Sequence, residues 1–274
     1  MHNFEGAVAV VTGGGSGIGE AFSKRIAKQG SKLVICDVKQ ESVERVVEDI
    51  KREGGIAIGQ VIDVSNHEEV LSVADKTYKE FKKCNFLFNN AGVLGPGLLK
   101  GADKKTFDWV LQTNLGGVFN GVNAFLNRML DQGETGHILN TSSVSGIFGW
   151  AGLGFYSASK FGILGFTLSL NSELKDSNIN VSALLPGGVE TGITSAIRKD
   201  QSDFDKIDLS TLDLEEATAK AKDSITIAPD QAVDVILEGL NNNELIIFTH
   251  NGYLKELKEY TSSLIEAMEK APFK

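Results

Sequence analysis

The sequence predicts an α/β fold: a doubly wound parallel sheet with helices on both faces, formed by a single domain over residues 1–274. Short apolar runs, typical of strands buried on both faces, alternate with amphipathic helical patterns along the chain. No repeat, linker or low-complexity block interrupts this alternation. With 274 residues, 42% of them hydrophobic, the chain can bury the core of one large domain.

Seven apolar runs are expected to form the strands. Because strands and helices alternate, these strands are expected to lie parallel in one sheet, joined by right-handed βαβ crossovers. The runs are Ala7–Thr12, Lys32–Cys36, Ile56–Ile62, Asn85–Asn89, His137–Thr141, Ile179–Leu185 and Leu245–Thr249.

Helical patterns separate the strands. Apolar residues between Val43 and Ile50 repeat at helical spacing. Ser65 and Glu68 have the spacing of a capping box and are expected to start the next helix. A further helix is expected after Pro229, where a proline suits the first turn.

Composition excludes several classes of function. The net charge is −9 and no basic cluster is present, which argues against nucleic acid or an anionic membrane as partner. No apolar run approaches the ~18 residues of a membrane span, and the N-terminus lacks a signal pattern. Cys36 and Cys84 have no metal-ligand or redox spacing. Together with the missing signal pattern and membrane span, this predicts a cytoplasmic protein. No metal is expected, because the histidines share no ligand spacing; they are His2, His67, His137 and His250.

A glycine-rich turn follows the first strand and leads into a helix. Glycines let the backbone approach phosphates, and the helix N-terminus offers free N–H groups with a partial positive charge. The segment therefore predicts a pyrophosphate site, although a glycine-rich turn without a ligand remains the alternative. The candidate residues are Gly13, Ser16, Gly17, Ile18 and Gly19.

Asp37 ends the second strand, about twenty residues past the glycine turn. A carboxylate there can accept hydrogen bonds from the ribose hydroxyls of an adenosine and would repel a 2′-phosphate. No lysine or arginine lies within the glycine turn, so NAD is favoured over NADP. Lys39 is a contrary signal, and a solvated strand-end acid is the alternative interpretation of Asp37.

Tyr156 and Lys160 are four residues apart, which places them on one face of a helix. A nearby cation favours the phenolate, so Lys160 is expected to lower the pKa of Tyr156 from roughly 10. Tyr156 would then serve as a general acid and base. Taken alone, such a pair also suits an ordinary helix surface.

Six motifs in order resemble those of the short-chain dehydrogenase/reductase family, over roughly residues 4–250. The resemblance implies a Rossmann-type, seven-stranded sheet, a nicotinamide cofactor and a homodimer or homotetramer. The motifs are Thr12–Gly19, Asn89-Asn90-Ala91-Gly92, Asn114, Ser143, Tyr156-x-x-x-Lys160 and Pro186–Thr191.

The resemblance also implies cofactor contacts beyond the glycine turn. Asn90 is expected near the adenosine ribose, with Ala91 and Gly92 shaping the pocket, and Asp63 beside Val64 near the adenine. The Val189 backbone and the Thr191 hydroxyl are expected to bind the nicotinamide carboxamide, in the loop that contains Pro186 and Gly187. Asn89 as a structural residue, Asp63 as a turn residue and a Pro-Gly helix cap remain alternatives.

The family pattern assigns the remaining catalytic roles. Ser143, thirteen residues before Tyr156, would hold the substrate oxygen, and the adjacent Ser142 fits that spacing less well. Lys160 would also bind the nicotinamide ribose. Asn114 would anchor a water that links Lys160 to solvent, or it could simply mark a helix bend.

Two segments are expected to shape the substrate site. Residues of about 192–228 are interpreted as a substrate lid, with a disordered stretch as the alternative; its apolar residues are Ile193, Ile197, Phe204 and Ile207. Phe148 and Trp150 suggest an apolar pocket or a subunit interface.

An amphipathic C-terminal helix is expected over about residues 252–270. It would cover a neighbouring subunit or the lid.

The sequence and the resemblance together predict an NAD-preferring enzyme that interconverts an apolar secondary alcohol and its ketone. The resemblance implies hydroxysteroids as one class of candidate substrate. A 3-oxoacyl thioester reductase and a nucleotide-binding regulatory protein without turnover are the alternatives. A sugar-nucleotide epimerase is disfavoured because only about 80 residues follow Thr191.

Overall fold

The computed structural model describes residues 4–195 and 226–273. Seven parallel strands form one sheet in the order β3-β2-β1-β4-β5-β6-β7. All seven predicted strands are confirmed, and each end lies within one residue of its predicted position. The strands are β1 Val8–Thr12, β2 Lys32–Asp37, β3 Ile56–Val61, β4 Phe86–Asn89, β5 Gly136–Thr141, β6 Ile179–Leu185 and β7 Ile246–Phe248.

Helices cover both faces of the sheet. Successive side chains of a strand point to opposite faces, so Ala9 and Val11 enter one hydrophobic core and Val10 the other. Helices α1, α2 and α7 pack on the first face and α3, α5 and α6 on the second. The helices are α1 Gly17–Ala27, α2 Gln40–Arg52, α3 His67–Phe81, α4 Lys104–Leu111, α5 Gly117–Asp131, α6 Gly154–Glu173, α7 Pro229–Asn241 and α8 Leu254–Glu269.

The N-terminus of α3 corrects the predicted capping box. Asn66 is the capping residue, and its side chain accepts hydrogen bonds from the backbone N–H groups of Glu68 and Glu69. The Ser65 hydroxyl instead donates to Asp63 Oδ1 at 2.7 Å. The Ser65–Glu68 assignment is wrong because the helix begins one residue later than that spacing requires, and asparagine caps equally well.

A five-residue π-helix, Gln112–Gly116, joins α4 to α5 without a break in helical backbone. A π turn accommodates one more residue than an α turn, and such bulges are frequent at functional sites. Asn114 lies at its centre, so the proposed helix irregularity at this asparagine is present.

The predicted lid is only partly described. Gly192–Ser195 form a 3-10 turn, and Ile227 pairs with Val189 through a β-bridge. Ile197, Phe204 and Ile207 lie outside the described residues.

The C-terminal helix α8 is two residues shorter at its start than expected and one shorter at its end. It has no buried residue, and its apolar residues Leu254, Leu264 and Ile265 are each at least 50% exposed. Over the described ranges, no helix combines the length and apolar character that crossing a membrane requires.

Candidate active site

The carboxyl ends of the strands gather the predicted site residues. The strand order reverses between β1 and β4, and ligands of doubly wound sheets bind at such a switch point. The glycine turn follows β1, the Asn90 segment follows β4 and Ser143 follows β5. The structure therefore brings the separate motifs to one edge of the sheet.

The glycine turn is shaped for close approach to a ligand. Gly13 and Gly17 have φ angles of +61° and +53°, which favour glycine. A Cβ at Gly19 would lie 2.3 Å from the Gly13 carbonyl oxygen. Helix α1 begins at Gly17, and its N-cap Ser16 makes no side-chain capping hydrogen bond. This open helix start fits the pyrophosphate of a dinucleotide.

Asn90 supports the same turn from the neighbouring strand. Its side-chain amide donates hydrogen bonds of 3.2 Å to the carbonyls of Thr12 and Gly13. A Cβ at Gly13 would lie 2.9 Å from the Ala91 Cα. In this geometry Asn90 and Ala91 hold the glycine turn in place.

Asp37 reaches over the glycine turn. Its Oδ2 accepts a hydrogen bond of 3.1 Å from Gly15 N–H, and its Oδ1 accepts one of 3.1 Å from Lys39 N–H. A carboxylate oxygen has two lone pairs, so each can accept a further bond from a ribose hydroxyl. This position fits the role predicted for Asp37.

Asp63 turns toward its own loop. Its Oδ1 accepts hydrogen bonds from the backbone N–H and the hydroxyl of Ser65, at 2.9 and 2.7 Å. The neighbouring Val64 is buried and lies against Gly117, where an added Cβ would be 2.8 Å from Val64 Cγ2. These contacts favour the turn-residue alternative for Asp63.

Tyr156 and Lys160 lie together near the start of α6 and are almost completely buried, at 8% and 2% exposure. Lys160 Nζ is 5.5 Å from the centroid of the Tyr156 ring. Ser143 caps the short 3-10 turn Val144–Gly146 through a 3.1 Å bond from Ser145 N–H. The predicted shared face of the tyrosine and lysine is confirmed.

Burial dominates the ionisation of this pair. Desolvation lowers the pKa of Lys160 to about 7, because a buried ammonium loses its hydration. Desolvation also raises the pKa of Tyr156, and a hydrogen bond with Ser143 opposes that change. The expectation that Lys160 lowers the tyrosine pKa is wrong for this structure. Neither group keeps the water that would stabilise its charged form, and Tyr156 is a neutral phenol at neutral pH.

Asn114 is fully buried and braces the site. Its Oδ1 accepts a 2.8 Å bond from Val93 N–H, and its Nδ2 donates to Val93 O and to Ser159 Oγ at 3.0 and 2.9 Å. The Ser159 hydroxyl donates to the Tyr156 carbonyl at 2.7 Å. Sequence reasoning missed Ser159, although its place directly before Lys160 was a usable signal.

The Pro186–Thr191 segment contacts several parts of the site. At one end the Pro186 carbonyl accepts a 3.0 Å bond from Val144 N–H. Gly187 N–H donates to the Thr249 hydroxyl at 3.1 Å. At the other end Thr191 packs over Gly17, where an added Cβ would be 2.8 Å from Thr191 Cγ2. The segment thus links the loop that contains Ser143 to the glycine turn.

A row of hydrogen-bonded polar side chains, here called the polar ladder, lies beneath the site and was also not predicted from the sequence. Asn89 Nδ2 donates to Asn140 Oδ1 at 2.9 Å, and Asn140 Nδ2 donates to Thr167 Oγ1 at 3.1 Å. All three side chains are buried, and Thr167 lies on α6. The ladder ties β4 and β5 to the helix that carries Tyr156, and it matches the structural alternative for Asn89. Among the described residues no group of three His, Cys, Asp or Glu side chains could hold a metal ion.

Comparison with known proteins places this geometry in a family. The family model for short chain dehydrogenase matches residues 7–202. A C alpha-dehydrogenase of Sphingobium sp. is 29% identical over 98% of this chain and 88% of its own length. A 3-oxoacyl-[acyl-carrier-protein] reductase of Thermotoga maritima is 34% identical over 70% of this chain and 78% of its own length.

A solved structure resembles the whole chain. The short chain dehydrogenase/reductase from Burkholderia phymatum, in complex with NAD, aligns with a TM-score of 0.88 and 32% identity, covering 100% of this chain and 99% of its own. With the sheet order, the glycine turn and the buried Tyr156–Lys160 pair, these matches show that the chain belongs to the short chain dehydrogenase family of oxidoreductases.

Proposed function

We propose that the protein interconverts a secondary alcohol and its ketone by hydride transfer with NAD. The observation that carries the proposal is the buried Tyr156–Lys160 pair beside Ser143, at the sheet edge where Asp37 crosses the glycine turn. When bound, the nicotinamide supplies or accepts the hydride.

Tyr156 moves the proton in this proposal. In ketone reduction its hydroxyl donates a proton to the substrate oxygen, and in alcohol oxidation the phenolate takes it back. The Ser143 hydroxyl holds the same oxygen and stabilises charge that develops there. Because burial raises the pKa of Tyr156, reduction is favoured near neutral pH and oxidation at alkaline pH.

Asp37 supports a preference for NAD over NADP. Its carboxylate sits against Gly15, where a 2′-phosphate would meet a negative charge. Lys39 approaches this carboxylate through its backbone N–H, whereas its side chain is exposed.

An aromatic cluster supports an apolar substrate. Phe148 lies 5.8 Å from Trp150, 6.4 Å from Tyr253 and 6.3 Å from Tyr260, measured between ring centroids. A Cβ at Gly187 would lie 3.2 Å from the Tyr253 ring, so the cluster borders the segment that contacts Ser143. Aromatic walls of this kind suit hydroxysteroid-like or other ring-bearing alcohols.

A 3-oxoacyl thioester reductase is the second candidate. The identity to the Thermotoga maritima protein favours it, because that relative is named as such a reductase. A regulatory protein that binds NAD without turnover would need no buried proton donor, whereas Tyr156 and Ser143 are both in place.

The proposal is tested by following reduced nicotinamide absorbance with hydroxysteroids, aryl and aliphatic secondary alcohols, their ketones and 3-oxoacyl thioesters. We expect turnover of apolar ring-bearing substrates, faster with NAD than NADP. Turnover of thioesters alone would select the second candidate. Cofactor binding without turnover of any substrate would favour the regulatory protein.

We also propose that the protein is a cytoplasmic homodimer or homotetramer, with no nucleic-acid or membrane partner. Helices α5 and α6 expose Phe119, Phe161 and Leu168, at 51%, 39% and 37% of their surfaces. Burial of such side chains between subunits would stabilise an oligomer. Light scattering after size exclusion would measure the subunit number, and a monomer at micromolar concentration would contradict this part.

A further inference from the structure

We propose that Glu20 is a specificity-determining residue for the cofactor. Its carboxylate holds the Arg45 guanidinium at the Gly15 carbonyl of the glycine turn. The guanidinium is then not available to bind the 2′-phosphate of NADP. This inference rests on the proposed NAD preference and assigns part of that preference to a residue outside the cofactor motifs.

Gly15 is the point at which the two charged groups meet. Asp37 Oδ2 accepts the Gly15 N–H at 3.1 Å, while Arg45 Nη2 donates to the Gly15 carbonyl at 2.8 Å. A Cβ at Gly15 would lie 2.8 Å from Asp37 Oδ2. The Arg45 guanidinium and the Asp37 carboxylate, which is assigned to the adenosine ribose, therefore bind the backbone of the same residue.

Glu20 binds the guanidinium as a two-pronged clamp. Arg45 Nη1 donates to Glu20 Oε1 at 2.5 Å and Nη2 donates to Oε2 at 2.7 Å. This fork geometry is also the one with which arginine binds phosphate. With three hydrogen bonds already committed to Glu20 and Gly15, Arg45 cannot present the same fork to another anion.

Both groups of the clamp, the Glu20 carboxylate and the Arg45 guanidinium, stay charged at neutral pH. Burial pushes the pKa of Glu20 upward, but hydrogen bonds from Arg45 and Lys24 outweigh burial and hold the pKa below its ordinary value. The hydrogen bond with Glu20 raises the pKa of Arg45. Lys24 bridges Glu20 and Asp49 at 2.8 Å each, which fixes the carboxylate on α1. The Glu20 side chain is 19% exposed and that of Arg45 48%, so the arginine has room to turn outward once released.

The test is a set of dissociation constants for NADH and NADPH, measured by fluorescence titration at fixed ionic strength. The proteins are the native chain, Asp37→Ala, Glu20→Gln, the double variant, and the double variant with Arg45→Met. We expect Asp37→Ala to strengthen NADPH binding relative to NADH. Adding Glu20→Gln should strengthen NADPH binding about tenfold more, equivalent to one charge-assisted contact, with NADH changed less than about threefold.

Arg45→Met in the double variant should remove that tenfold gain. Glu53→Gln is the control, because it also removes one carboxylate from an ion pair, here with Lys28 at 3.0 Å. It should leave the ratio of the two dissociation constants unchanged, and thermal unfolding of each cofactor-free variant monitors the fold.

The outcomes separate this inference from the proposed function. If the native chain binds NADPH as tightly as NADH, the proposed NAD preference itself fails; if Asp37→Ala leaves the ratio unchanged, the proposed role of Asp37 fails. If Asp37→Ala changes the ratio but Glu20→Gln adds nothing, or the gain survives Arg45→Met, the role of Glu20 is overturned while the NAD preference stands.

Discussion

Lys160 Nζ on α6 donates a hydrogen bond of 2.8 Å to the Thr141 carbonyl at the end of β5. The neutral carbonyl acceptor orients the ammonium but does not neutralise it. Burial accordingly lowers the pKa of Lys160 to about 7. Lys160 is thus expected to titrate near neutrality.

Lys160→Met is expected to flatten the pH dependence of stability. Between pH 7 and 10 the unfolded chain binds a proton at Lys160 that the folded protein does not, because the folded pKa of about 7 lies below the ordinary 10.5. The free energy of unfolding therefore rises with pH by up to about 1.4 kcal/mol per unit. Above pH 10 the raised pKa of Tyr156 acts in the opposite direction.

Urea denaturation at pH 7 and pH 9 measures this effect. The native protein should gain roughly 2 kcal/mol relative to Lys160→Met between these two values. Lys51→Met, on the exposed side of α2, controls for removal of a positive charge. Parallel curves for native protein and Lys160→Met would show that the buried lysine does not titrate in this window.

Tyr156→Phe is expected to abolish most turnover while leaving cofactor binding intact. The substitution removes the hydroxyl that we propose transfers the proton and keeps the buried ring, so kcat should fall roughly 10²- to 10⁴-fold. NADH affinity, from fluorescence titration, should change less than about threefold, because the residues proposed to bind the pyrophosphate and the adenosine ribose are unchanged. Native kcat in the phenylalanine variant would remove Tyr156 from the reaction.

Thr167→Val is expected to destabilise the fold more than Thr77→Val. Both hydroxyls donate to the carbonyl four residues earlier at 2.7 Å, but only Thr167 also accepts from Asn140. Thr167→Val removes the oxygen that accepts the hydrogen bond from the buried Asn140 side-chain amide, at a cost of about 1–3 kcal/mol. Equal free energies of unfolding for the two variants would mean that the ladder contributes nothing at α6.

Gly121→Ala tests the close approach of α5 to β4. A Cβ at Gly121 would lie 2.0 Å from Asn89 Oδ1, so the helix must shift, at roughly 1–3 kcal/mol. Gly165→Ala on α6 meets nothing within 4 Å and should stabilise by about 0.5–1 kcal/mol. Urea midpoints that move in the same direction for both variants would contradict the close contact.

The sequence specified the sheet well because parallel strands buried on both faces must be nearly continuous apolar runs. Ile179–Leu185 coincides with β6 at both ends. The glycine turn and the Tyr156–Lys160 pair were also identifiable, since local spacing alone places each of them on a strand end or a helix face.

Features that depend on contacts distant in sequence were not predictable. The Arg45 clamp joins residues 25 and 30 positions apart, and Thr167 meets Asn140 across 27. The pKa of Tyr156 depends on how deeply α6 is buried, which spacing does not reveal. The cap of α3 was misassigned because serine and asparagine are adjacent there and both are good capping residues.

The π turn at Gln112–Gly116 makes this stretch sensitive to chain length as well as to composition. A π turn holds one extra residue within nearly the rotation of an α turn, so removing a single residue from it would leave α4 and α5 close to their present orientation. Asn114 lies at the centre of the turn, and the shortened turn would move its side chain away from Val93 and Ser159. A one-residue deletion here would consequently damage the site while leaving the packing of the flanking helices nearly intact.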